Sequence, residues 1–115
     1  MTDLRVVLVT VGNEADANRI ARRILEERLA ACVNILPGIH SVYHWEGAIE
    51  EGSESLLIIK TSRELLDTLK KRIDEIHPYD VPELISLDVE DGLDGYIDWA
   101  LGELRGDRHG GRDDL

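Results

Sequence analysis

From Leu4 to Val11 the chain carries Val6, Val7, Leu8, Val9 and Val11, a run too densely apolar for a strand with one wet face. It predicts a central strand covered on both sides. Gly12 and Asn13 break the run, and Asn13 is placed to cap a helix with Glu14 and Asp16 near its positive end. In that helix Ala17, Ile20, Ala21, Ile24, Leu25 and Leu29 recur at the i, i+3, i+4, i+7 spacing of a buried stripe, while Arg19, Arg22, Arg23, Glu26 and Glu27 fill the solvent side.

Ala31 to Glu46 reads as extended, with a bend at Pro37-Gly38 and then alternation of Ile39, Ser41, Tyr43 and Trp45 against His40, Val42 and His44. Sixteen extended residues reach ~53 Å, against a diameter of roughly 35 Å for a compact domain of this length. This strand and its return partner should therefore overhang the domain that carries them. The return strand is predicted at Ser55 to Thr61, with Glu50-Glu51-Gly52 as the connection.

Ser62 can cap a second helix with the stripe Leu65, Leu66, Leu69, Ile73 and Ile76, which must stop before Pro78 because the proline ring disfavours helical geometry at His77. Pro82 opens a last strand through Leu84, Ile85, Leu87 and Val89, and Asp94 starts a short helix with Ile97, Ala100, Leu101 and Leu104 on one side. Residues 106–115 hold Gly, Arg, Asp and His without periodicity, so one domain over 1–105 and a disordered tail are expected. The order βαββαβ plus a terminal helix is an α+β, ferredoxin-like split βαβ: helices on one face of an antiparallel sheet. An overhanging ribbon with an open edge and Tyr43 and Trp45 near its tip is an aggregation hazard unless a partner covers it, and closed homo-oligomerisation is the simplest cover.

The totals narrow the function classes. A length of 115 residues leaves room for one core. Cys32 is the sole cysteine, and no basic segment followed by an apolar stretch opens the chain, which favours a cytoplasmic protein. Nothing approaches the ~18 consecutive apolar residues of a membrane span. The formal charge of −11, from 24 acidic and 13 basic residues, argues against nucleic acid as a partner, since phosphate binding depends on cationic neutralisation. The acidic excess is spread along the chain, and adaptation to a salt-rich cytoplasm is one hypothesis for it.

Several separated motifs resemble the CutA divalent-cation tolerance family in content, order and spacing: Arg28 to Asn34, Ile35-Leu36-Pro37-Gly38, Tyr43 to Gly47, Ile59-Lys60-Thr61, His77-Pro78-Tyr79 and Val81-Pro82-Glu83. The likeness runs from about Leu4 to Leu104. It implies a ferredoxin-like subunit, a homotrimer with its sheets around a threefold axis, and ribbons that reach onto neighbours. Some members bind copper through a first-strand cysteine and two adjacent histidines before the Pro-Tyr pair. Here Val9 and Ile76 stand at two of those three positions, leaving His77 alone. A copper site of that composition cannot form, because soft Cu(I) wants thiolate.

His77 is then the one metal-ligand candidate, on the premise that a helix-end position leaves its ring free, although a helix-terminating hydrogen bond is the stronger expectation. Cys32 reads as a small core residue. His40 and His44 stand ~13 Å apart along one strand, too far to share an ion within a subunit, and read as interfacial or exposed. The resemblance places Tyr43, Trp45, Lys60, Tyr79 and Glu83 near a cleft between subunits, where they serve as interface or as a ligand pocket. Glu46, Glu50, Glu51, Asp80 and Glu83 offer hard oxygen donors. No nucleophile with a base, phosphate-cradling loop or zinc spacing is recognisable, so no enzyme is expected. The expectation is a trimeric divalent-cation tolerance protein, with no obligatory cofactor and a divalent metal ion such as copper as its ligand. The rival is a trimeric small-ligand sensor of PII-like architecture, with a metabolite in a cleft lined by Trp45, Lys60 and Glu83.

Overall fold

The computed structural model describes residues 1–106, so the tail expected over 106–115 lies, past Gly106, outside the described residues. Strand β1 (Leu4–Val11) leads into helix α1 (Glu14–Glu26), and Asn13 caps that helix by accepting the Asp16 N–H at 2.8 Å. The helix ends with Arg28 at φ 55°, where the Leu29 and Arg28 N–H groups bond back to the Ile24 and Leu25 carbonyls. This left-handed exit occupied by a non-glycine residue is what brings Leu29 into the core.

Strands β2 (Cys32–Trp45) and β3 (Ala48–Ser62) form the long ribbon. The turn between them is Glu46-Gly47, both at positive φ (49° and 82°), a geometry that matches the twist of a two-residue hairpin and that glycine adopts without a Cβ clash. The connection expected at Glu50-Glu51-Gly52 is corrected: these residues pair with Tyr43, Val42 and Ser41 inside the ribbon. Their charge and glycine content resembled a loop, but a tight turn four residues earlier had already fixed the register. Near Pro37-Gly38 the register shifts between Leu36 and Ile39, a bulge at the predicted bend. The overhang is present: the chain measures 52 × 27 × 22 Å, and its radius of gyration is 15.3 Å, against ~13 Å for a compact chain of this size.

Helix α2 (Leu66–Ile76) follows a turn in which the Ser62 hydroxyl accepts the Leu65 N–H, so the serine caps that turn and the helix proper starts later than expected. It stops at His77 in extended geometry, as Pro78 requires. Strand β4 (Leu84–Asp88) and helix α3 (Asp94–Glu103) complete the chain. The sheet order is β2-β3-β1-β4, every neighbour pair antiparallel, with β3 inserted between β1 and β2.

One face of the sheet is covered by α1 and α2. Val7, Val9, Val11, Leu57 and Ile59 meet Ile20, Ile24, Leu69 and Ile73 there, all at 1% exposure or less. The expectation that β1 is covered on both sides needs correction for the single chain. Val6 and Leu8 point to the other face and remain half-buried, beside Leu36, Ile85 and Leu87 at 42–50% exposure. Helix α3 covers only the end of this face near Leu4 and Ala31. Leu25 was placed in the buried stripe but is 38% exposed, because the stripe already closes on Ile24 and Leu29.

Candidate functional site

The end of α2 meets the exit of β1. His77 is 7% exposed, and both ring nitrogens are engaged: Nε2 donates to the Thr10 carbonyl at 2.7 Å, and Nδ1 accepts the Tyr79 N–H at 3.1 Å. Those partners fix the neutral tautomer, since a carbonyl can only accept and an amide N–H can only donate. The premise of a free ring is therefore corrected. The Tyr79 ring tilts against His77 at a centroid distance of 4.7 Å, and its hydroxyl donates to Glu54 Oε2 at 2.8 Å. Burial, then the bond to Glu54, pushes the Tyr79 hydroxyl well above the usual tyrosine range, so it stays a donor. Gly12 makes room for this ring, since a Cβ there would lie 3.0 Å from the Tyr79 oxygen.

Thr10 adds a second tie by donating its hydroxyl to Glu83 Oε1 at 3.3 Å. The ribbon register puts Thr10, Glu54, Ser41, Tyr43 and Trp45 on the same face of the sheet, the one that α1 and α2 leave open. Together with the Tyr79–Glu83 connection they line a cleft of ≈ 690 Å³ that runs from the root of the arm towards its tip. Of the five residues that the resemblance assigns to a cleft between subunits, Tyr43, Trp45, Tyr79 and Glu83 line this cleft within one chain.

Lys60 does not. It lies on the open sheet face opposite Cys32, with Nζ donating to Asn34 Oδ1 and standing 3.9 Å from Cys32 Sγ. Cys32 is accordingly half-buried beside a cation instead of packed in the core, because the edge strand turns it away from α1 and α2. Burial and the nearby Cys32 raise the Tyr96 hydroxyl at this second cluster. His40 and His44 are exposed on the ribbon, and His40 Nε2 pairs with Glu51 at 2.8 Å. Sequence reasoning missed Glu54 and Thr10. Placing the turn at Glu46-Gly47 would have found Glu54, since the register then carries it onto the Tyr43 face.

Among the described residues, no three side chains of His, Cys, Asp or Glu converge where they could hold a metal ion. The buried Val9 side chain and Ile76 supply no donor either. One chain by itself does not fit a copper site, and no helix of the described residues is long and apolar enough to cross a membrane.

Residues 5–103 match the family model described as CutA1 divalent ion tolerance protein. The chain belongs to that family. The divalent-cation tolerance protein CutA of Thermus thermophilus is 48% identical over 94 residues, which cover 82% of this chain and 91% of that one. The chloroplastic CutA of Arabidopsis thaliana is 49% identical over 100 residues, 87% of this chain and 55% of that protein. The chain thus spans about half the length of its Arabidopsis relative and nearly all of its Thermus one. The crystal structure of CutA1 from Oryza sativa superposes with a TM-score of 0.87 at 48% identity, covering 90% of this chain and 94% of that one.

Proposed function

We propose that this CutA-type divalent-cation tolerance protein works as a homotrimer of ferredoxin-like subunits in the cytoplasm, responding to divalent metal ions held at subunit boundaries. The observation that carries the reading is the uncovered apolar sheet face together with the arm that extends it. Leu36, Ile85 and Leu87 on the face are 42–50% exposed and Val42 and Ile49 on the arm 58% and 68%, more apolar surface than a lone small subunit keeps in water. Sister chains are the simplest cover. Among the described residues metal donors do not converge, so an ion site in this reading draws on carboxylates and exposed histidines from more than one copy. His77 takes part only if it releases Thr10 or Tyr79.

Sedimentation should give a particle of about three times 12.9 kDa. A stable single-chain particle at moderate salt removes the assembly. Isothermal titration with Cu(II) and Zn(II) on wild type and His77→Ala tests the ion. Absent heats remove the metal reading, and equal heats from the two proteins remove His77 alone.

The cleft favours a second reading, a small-ligand sensor, because aromatic and carboxylate side chains converge on one concavity. Lys60 has no part in it. A metabolite that binds the native state raises the thermal midpoint, and a broad panel without any shift removes this reading.

A further inference from the structure

The polar groups lining the cleft at the root of the arm are of one sign. Glu54, Asp80 and Glu83 contribute carboxylates, and among the described residues no lysine or arginine lines it. His40, the one basic group present, is engaged by Glu51. The Tyr79 and Thr10 hydroxyls hold Glu54 and Glu83 in place by donating to them at 2.8 and 3.3 Å. The remaining walls are aromatic: Tyr79 beside Glu54, and Tyr43 and Trp45 further along the arm, the two ribbon rings being 46% and 49% exposed in the single chain.

An anionic ligand would meet three like charges here. A bare divalent ion needs converging oxygens, and among the described residues no such triad forms. A cation that spreads its charge over alkyl groups needs neither. It packs on ring faces, whose quadrupole attracts it, while spaced carboxylates supply the longer-range field. We propose that this cleft is a binding site for an organic ammonium ion, with Trp45 and Tyr43 as the ring contacts and Glu54 and Glu83 as the counter-charges. The proposal rests on the reading of the cleft as a ligand site and names its chemical class.

The test is a proton–nitrogen NMR titration of the wild-type assembly with tetramethylammonium chloride, against sodium chloride at equal ionic strength. The two indole N–H signals serve as internal comparison, because Trp99 lies on α3, away from the cleft lining. The expected result is a saturable shift of the Trp45 signal with the ammonium salt only, with Trp99 unmoved. Glu54→Gln combined with Glu83→Gln should weaken binding about three- to tenfold by the Trp45 signal, and Trp45→Leu should do the same when followed by isothermal titration, since it removes the reporter. Unaltered affinity in the double variant overturns the counter-charge assignment.

Magnesium chloride and sodium succinate form the remaining arms. A saturable Trp45 shift with succinate, and none with the ammonium salt, overturns the ammonium class and leaves the ligand cleft standing. A shift with magnesium in place of the ammonium salt overturns it in favour of a hard metal ion. No saturable shift with any salt overturns both the class and the cleft reading.

Discussion

Tyr79, on the connection between α2 and β4, donates its hydroxyl to Glu54 of β3 at 2.8 Å and so ties the end of a helix to the root of the arm. Tyr79→Phe removes that tie while keeping the ring against His77. A net cost of ~0.5–1.5 kcal/mol is expected, toward the lower end because the pair is partly wet. Burial of the hydroxyl, and then the bond, also make stability depend on alkaline pH. The folded hydroxyl titrates above the ordinary value of 10.0. The contribution is therefore whole below about pH 10 and is lost as pH rises toward the folded value. Chemical denaturation at pH 8 and pH 10.5 should show the wild type losing more stability than Tyr79→Phe, and equal losses would refute the assignment.

Gly12 tests the same ring from the other side. A methyl at this position would lie 3.0 Å from the Tyr79 oxygen, so Gly12→Ala forces the ring to move. The expected readout is a drop of a few degrees in the thermal midpoint, together with loss of the alkaline dependence. A variant that keeps that dependence would show that the ring accommodates the methyl in place.

At the tip, Gly47 sits at φ 82°, where a β-branched side chain is strained. Gly47→Val should cost ~1–2 kcal/mol in the folded arm. Protease nicking between Tyr43 and Gly52 should rise while the body of the subunit stays intact, and unchanged digestion would contradict this turn geometry.

Where α1 ends, Glu27 accepts Arg72 Nε at 3.0 and 3.1 Å and Nη2 at 2.8 Å, pinning the two helices together. The hydrogen bonds from Arg72 hold the Glu27 carboxyl below its ordinary 4.5, so its stabilisation is present above that value and fades as pH falls through the lowered one. Glu27→Gln should lower the thermal midpoint at pH 7 and flatten the acid side of the stability profile. An identical acid profile would rule out this pair as its source.

The distributed charge of −11 makes a salt prediction of its own. If self-repulsion limits stability, the thermal midpoint should climb between low salt and molar KCl, where the Debye length falls to ~3 Å. A flat response would remove the high-salt hypothesis.

The sequence made the helices and the arm legible because their signals are local: Asn13 as a cap, the Ile20 to Ile24 stripe, the stop before Pro78, and a strand too long for its domain. Its errors came where position depends on pairing. Glu50 to Gly52 has loop composition, and only the register set at Glu46-Gly47 makes it strand. Cys32 and Leu25 are small or apolar, which says inside, but an edge strand and a filled core put them half outside. At the site, Tyr43, Trp45, Tyr79 and Glu83, which motif likeness assigns to a cleft between subunits, line one cleft within the chain. Lys60 lies apart from them beside Cys32, because pairing across the sheet and not motif order sets its neighbours.

The alternation along the arm also limits how the protein can change. Tyr43, Ser41 and Glu54 share one side of a ladder whose side chains switch sides at every residue. The ribbon can therefore gain or lose length only in matched steps of two residues per strand. A single-residue insertion beyond the bulge would rotate its aromatic groups to the opposite surface and leave the root of the arm without them.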